Sequence, residues 1–346
     1  MQDSKIPKAP PRETAWRRFL RGKDATAPEA ARLVLVIYAL LLLSRLIDQA
    51  FLSREGEYLS TVLLQLLIFP IPAYVYIRLR SIRLQDKNYR AALRLRRVSL
   101  SHILFILAGI LFLIAGCTLL AMLCGMLNSQ TSFTLYDTFS SINDGTAGAT
   151  VRLIFTYGLL PAFCEELVFR GILCAEYEEG GVLYAMTASS IFFAFLHFDL
   201  TALPVYLLAG VVLSFVRYVT RSTVASMLVH LGYNLFGVLA QAGLSGYCRS
   251  TGNLALLVVI LIALLLLSAA LLCGETARIL NRRATLRLTD AADEQDTPGL
   301  WRYGGGSTRG GGFRGVVASL GRIFRCPEAI LAVVLWIVGV VLNLVR

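Results

Sequence analysis

Leu254–Cys273 reads LALLVVILIALLLLSAALLC, twenty residues without a charge, a proline or a period-two alternation. A helix of that length rises roughly 30 Å, the hydrocarbon thickness of a bilayer. Working outward in both directions, similar apolar blocks recur near Leu33–Leu52, Tyr58–Ile77, Leu100–Leu127, Thr150–Ala175, Val182–Phe198, Ala202–Val219, Val224–Gln241 and Ala329–Val345. Hydrocarbon leaves a backbone only helices or closed barrels, and blocks of this length without alternation favour helices. The predicted fold is all-α, a polytopic transmembrane helix bundle of about eight or nine spans. Pro70 and Pro72 are expected to kink the second span, because proline removes a backbone donor.

The composition excludes most alternatives. Of 346 residues, 56% are hydrophobic and 16% charged, and the mean hydropathy is +0.67. A chain this apolar cannot hide its side chains in one soluble core. The net charge of +11 invites a nucleic-acid reading. Lys and Arg sit in the gaps between apolar blocks, however, which fits membrane orientation and no nucleic-acid partner. Seven cysteines lie mostly inside or beside apolar blocks, with no C-x-x-C pair, and read as reduced packing residues. The polar, basic first thirty residues lack an apolar core near Met1, so no cleaved signal peptide is expected.

Loop charge sets the expected orientation. The tail with Arg12, Arg17, Arg18, Arg21, Lys23 and Arg32 and the loop with Arg78 to Arg97 should both be cytoplasmic. The Asn128–Gly148 loop, with Asp137 and Asp144 but no Lys or Arg, then falls outside. The basic segment Ala91–Val98 reads as a helix lying on the headgroups. The chain divides into a cytoplasmic tail at 1–32, N-terminal helices at 33–148 with the basic loop 78–98, and a core at 149–245. A further helix follows at 246–273, then a cytoplasmic Gly-rich linker at 274–328, with an acidic patch at Asp293, Glu294 and Asp296, and a last helix at 329–346. The linker's Gly304–Gly312 stretch has the composition of a flexible tether.

Ionisable residues inside spans are expensive and point to function. Glu165, Glu166 and Arg170 stand in C-E-E-L-V-F-R-G, His197 closes F-A-F-L-H after Phe193, and His230 and Asn234 bracket H-L-G-Y-N. Glu166 and Arg170 are four apart and share a helix face, while Glu165 is turned about 100° away. One carboxylate is therefore expected to be paired and the other free to act as a base. His230 and Asn234 are one turn apart and could converge on one substrate oxygen. Phe193 would pack beneath His197 and fix the imidazole. The bland alternative is a structural Glu166–Arg170 ion pair with the histidines as polar glue between helices. Three such groups on three spans weigh against it, because each buried polar group adds cost without packing.

In order and type these motifs, E-E-x-x-x-R, F-x-x-x-H and H-x-x-x-N, resemble those of the CAAX prenyl endopeptidase and bacteriocin-processing (CPBP, Abi) family of intramembrane proteases. The resemblance covers about Arg152 to Gln241 and marks 149–245 as a catalytic core. It implies hydrolysis of a hydrophobic, prenylated (CAAX-like) or leader peptide at the membrane, with Glu165 and His197 holding and activating a water. His230 and Asn234 would stabilise the oxyanion, with Glu166, Arg170 and Phe193 in support. Glu165, His197 and His230 could supply a zinc set, but no H-E-x-x-H helix is present to make that specific. The expected setting is a bacterial plasma membrane. Two other classes could use the same residues: a non-catalytic immunity or scaffold protein binding a peptide or partner helix in the same cavity, and a proton-relaying transporter. Retention of both Glu165 and His197 argues against the first, and the lack of inverted repeats against the second.

Overall fold

The computed structural model describes residues 26–44, 54–84, 93–125, 146–178, 181–240, 252–289 and 320–345, with residues 250 and 317. Residues 1–25 of the basic tail, most of the Asn128–Gly148 loop, the acidic patch and the Gly304–Gly312 stretch lie outside them. Among the described residues there is no strand. The helices are α1 (Thr26–Ser44), α2 (Arg54–Ile68), α3 (Pro70–Leu84) and α4 (Ile103–Leu123). The long run α5 starts at Ala147–Leu153 and ends at Cys174–Tyr177. It is followed by α6 (Val182–Phe195), α7 (Leu203–Thr220), α8 (Thr223–Leu239), α9 (Leu254–Thr289) and α10 (Pro327–Val345). Among the described residues five stretches are long and apolar enough to cross a membrane: Tyr58–Arg80, Leu100–Leu123, Leu203–Thr220, Leu254–Arg282 and Pro327–Val345.

Burial is inverted relative to a water-soluble protein. Leu63, Leu266 and Leu344 are 57%, 66% and 76% exposed, whereas Glu166, Arg170 and Arg217 are wholly buried. Apolar side chains outside and charges inside are the distribution a lipid solvent demands.

One end of the bundle is a charged layer that fixes how the helices alternate. Arg80, at the end of α3, forks onto both oxygens of Glu176 at 3.0 Å and reaches Glu29 of α1 at 3.0 Å. Glu178, just past α5, takes Arg94 at 2.8 Å and Arg217 of α7 at 3.4 Å. Arg32 of α1 pairs with Glu328 of α10 at 2.9 Å, and Arg278 of α9 donates to the Ser101 carbonyl before α4. Ser222 caps α8, accepting from Ala225 N–H at 3.3 Å and donating to the Arg96 carbonyl at 2.7 Å. The starts of α1, α4, α8 and α10 and the far ends of α3, α5, α7 and α9 thus meet in one layer.

The structure agrees with some expectations and corrects others. The helix pair α2–α3 breaks at Phe69, beside the two prolines. The described part of Ala91–Val98 is not a surface helix: Leu93 and Arg94 form a turn and 95–99 carry no regular structure. The Leu93 and Arg94 carbonyls accept from Thr223 Oγ1 and N–H, so tertiary bonding to α8 wins over helix propensity. α9 runs on to Thr289, so the first part of the expected 274–328 linker is helical. Residues 275–289 contain neither Gly nor Pro, and Arg, Leu and Ala are strong helix formers. All six cysteines among the described residues are free, and Cys117, Cys164, Cys174 and Cys326 are buried.

Candidate active site

α5 is not a uniform α-helix. Ile154–Leu159 and Leu167–Leu173 are π-helical, and the α-helical turns Leu160–Glu166 between them carry the two glutamates. Wide turns of this kind are rare and concentrate at functional sites. Within them the expected ion pair forms: Arg170 Nη1 lies 2.6 Å from Glu166 Oε1, with both side chains fully buried. Arg170 Nη2 also donates to the Gly210 carbonyl of α7 at 3.1 Å. Its guanidinium sits 4.3 Å from the centroid of the Phe193 ring, in cation–π contact.

Gly210 makes that reach possible. A Cβ there would stand 2.9 Å from Ser190 Cα, so α6 and α7 can approach closely only without it.

Phe193 is the hub. Its ring is edge-on to His197 at 5.3 Å and to His230 at 5.8 Å between centroids. One phenyl ring thus gathers the arginine and both histidines. His197 Nδ1 lies 3.1 Å from the Phe193 carbonyl, which can only accept, so that nitrogen donates, and in the neutral ring Nε2 then keeps its lone pair. The other face of His197 stacks on Tyr206 at 3.6 Å and 12°. Tyr206 carries no motif signal in the sequence.

His230 has a partner that the sequence did not announce. Its Nδ1 is 3.1 Å from Glu166 Oε1, giving a buried chain Arg170–Glu166–His230. An ionised carboxylate only accepts, so Nδ1 carries the proton and Nε2 is the free edge. Asn234 Nδ2 reaches the Gly158 carbonyl at 3.4 Å, within the first π-helical stretch, instead of sharing a target with His230 Nδ1. Glu166 Oε2 and Arg170 Nε are buried without a hydrogen-bond partner among the described residues. Glu165 is 7% exposed and makes no hydrogen bond or ion pair among the described residues. Its charge interacts with His230, Glu166 and Arg170, and with the Tyr206 phenol stacked on His197.

The depth of His197 follows from the length of α6. Its 14 residues rise roughly 21 Å, short of the ~30 Å hydrocarbon layer, and Pro204 in the first turn of α7 fits a helix start, where no N–H is needed. His197 therefore sits in the turn between two helices, past the end of α6 at Phe195. The next residue, Phe198, has φ of 51°, a left-handed conformation that costs a bulky residue about 1–2 kcal/mol. Asp199 Oδ1 then accepts from Thr201 and Ala202 N–H at 2.8 and 3.0 Å and turns the chain into α7.

The zinc set weighed from the sequence does not assemble. Among the described residues no three His, Cys, Asp or Glu side chains gather closely enough to hold a metal ion.

Residues 147–236 match the family model described as Rce1-like, type II CAAX prenyl endopeptidase. The match takes in Glu165, Glu166, Arg170, Phe193, His197, His230 and Asn234. No curated protein and no solved structure matches the chain. With its apolar helices and this match, the chain is an integral membrane protein whose segment 147–236 is similar to CAAX-type proteases.

Proposed function

We propose that the chain is an intramembrane endopeptidase acting on a hydrophobic, prenylated or leader peptide, with residues 149–245 as its catalytic core. The observation that carries this reading is the gathering of α5, α8 and the α6–α7 turn around the Phe193 ring, where both histidines have their Nδ1 atoms committed and the buried Glu165, next to Glu166, makes no hydrogen bond or ion pair among the described residues. Glu165 takes a proton from a water that His197 Nε2 orients, and the resulting hydroxide attacks the scissile carbonyl. His230, held by Glu166, donates from Nε2 in its imidazolium form to the developing oxyanion and then passes that proton to the leaving nitrogen. Asn234, with one amide N–H on Gly158, supplies a further donor. Preorganised donors in a dry site are worth about 3–4 kcal/mol each in such a step.

The same reading has the helices crossing the bilayer nine times. The charged layer of Arg80, Arg94 and Arg217 faces the cytoplasm, in accord with the Arg-rich tail and loop. The substrate's apolar portion enters from lipid and its polar end from the cytoplasmic side of a bacterial plasma membrane.

The test is cleavage by the purified protein in detergent of matched prenylated and unprenylated peptides, with and without a strong chelator. Glu165→Ala is expected to lower kcat by roughly 10²–10⁴-fold, the usual worth of a positioned base, with an unchanged melting curve. A Glu165→Ala variant that cleaves at the wild-type rate overturns the assignment, and activity lost in chelator and restored by zinc would replace the metal-free route.

A further inference from the structure

The turn that carries His197 is held from outside the family-matched segment. Phe198, next in sequence, adopts a left-handed backbone that its own side chain disfavours, so its neighbours must enforce it. Those neighbours come from α10 and α1. Trp336, Gly339 and Asn343 stand at i, i+3 and i+7, on one face of α10. Trp336 stacks on Phe195 at 4.4 Å and 18°. Gly339 provides a notch for Phe198, where a Cβ would lie 2.7 Å from the ring's Cγ. Asn343 Nδ2 donates to the Phe198 carbonyl at 2.7 Å. From α1, Tyr38 meets the Phe198 ring edge-on at 5.5 Å and its hydroxyl donates to the Phe192 carbonyl. The Arg32–Glu328 ion pair fixes the lengthwise register of α10 against α1 at the charged end.

We infer that the last helix is a positioning element for the reaction: Gly339 and Asn343 hold Phe198 in its left-handed turn and thereby aim His197 at the Glu165 water. The inference rests on the endopeptidase reading for its chemistry, yet its geometry can be tested without any cleavage. α10 meets the site at the Phe195–Phe198 turn, so it acts through His197.

The experiment uses the full-length protein in detergent and follows carbethoxylation of individual histidines by diethylpyrocarbonate, read by peptide mass spectrometry, beside steady-state cleavage. Asn343→Ala and Gly339→Ala are expected to speed modification of His197 roughly fivefold, the net worth of one hydrogen bond expressed as an opening equilibrium. His230 serves as internal control and should keep its wild-type rate. In cleavage, kcat should fall about tenfold or more while KM stays within roughly twofold, because a misaimed group hurts the chemical step more than binding. Adding Phe198→Leu to Gly339→Ala reopens the notch and should return His197 towards its wild-type rate. The inference is overturned if His197 reacts at the wild-type rate in both single variants, or if His197 and His230 accelerate together, which marks general loosening. If the folded wild type cleaves nothing while His197 alone is unmasked, it is the endopeptidase reading that fails and the positioning role that stands.

Discussion

Removing the guanidinium of Arg170 is the sharpest perturbation of the buried chain. Arg170→Met keeps much of the side-chain volume but strips Glu166 Oε1 of its 2.6 Å partner, the Gly210 carbonyl of its 3.1 Å donor and Phe193 of its cation. Glu166 is wholly buried, so its charge would be left with His230 Nδ1 at 3.1 Å as its hydrogen-bonding partner. Breaking a buried pair from one side costs about 3–5 kcal/mol. The cation–π and carbonyl contacts overlap with that loss and do not add in full, so roughly 4 kcal/mol is expected in total. Adding Glu166→Gln removes the stranded charge and should bring stability back to within about 1–2 kcal/mol of wild type. Cleavage should stay lost, because a neutral amide no longer holds an imidazolium at His230. The assay is reversible unfolding in mixed micelles by titration with a denaturing detergent, followed by far-ultraviolet circular dichroism. A single variant within ~1 kcal/mol of wild type, or a double variant no more stable than the single, would refute the reasoning.

Two more outcomes are expected. Tyr206→Ala should lower kcat about fivefold to tenfold by removing a stacked ring worth roughly 1 kcal/mol, while Tyr206→Phe keeps the stack and stays near wild type; equal losses in both would assign the role to the hydroxyl. Gly210→Ala should destabilise by about 1–3 kcal/mol, because its Cβ meets the Ser190 backbone and not a side chain that can move; a melting curve unchanged from wild type would contradict the close α6–α7 approach.

The helical architecture was legible because apolar runs of bilayer length leave the backbone little choice. The 274–289 portion of α9 was missed for the converse reason: hydropathy marks where lipid begins and ends, and a polar run without breakers continues a helix unmarked. Within the site, the Glu166–Arg170 pair could be read from spacing alone, since i and i+4 share a face. The partnership of Glu166 with His230 could not, because it depends on the relative depth of two helices 64 residues apart. His197 was assigned to the end of a span, whereas α6 stops at Phe195 and the chain turns. The hold of Asn343 on Phe198 spans 145 residues and carries no motif. Nothing in the sequence announces the π-helical stretches either.

Those stretches bear on how the chain can tolerate insertion and deletion. In each, a backbone N–H bonds five residues back, Leu160 to the Phe155 carbonyl and Cys174 to the Phe169 carbonyl. Such a turn carries one residue more than an α turn needs, so it can gain or lose that residue while the helix on either side keeps its phase. Loss of one residue within 167–173 would leave Glu165 and Glu176 on their present faces. Loss of one between 160 and 166 would swing the rest of α5 by about 100° and carry Glu176 away from Arg80. Length variation along this helix is therefore confined to two windows, one on each side of the glutamates.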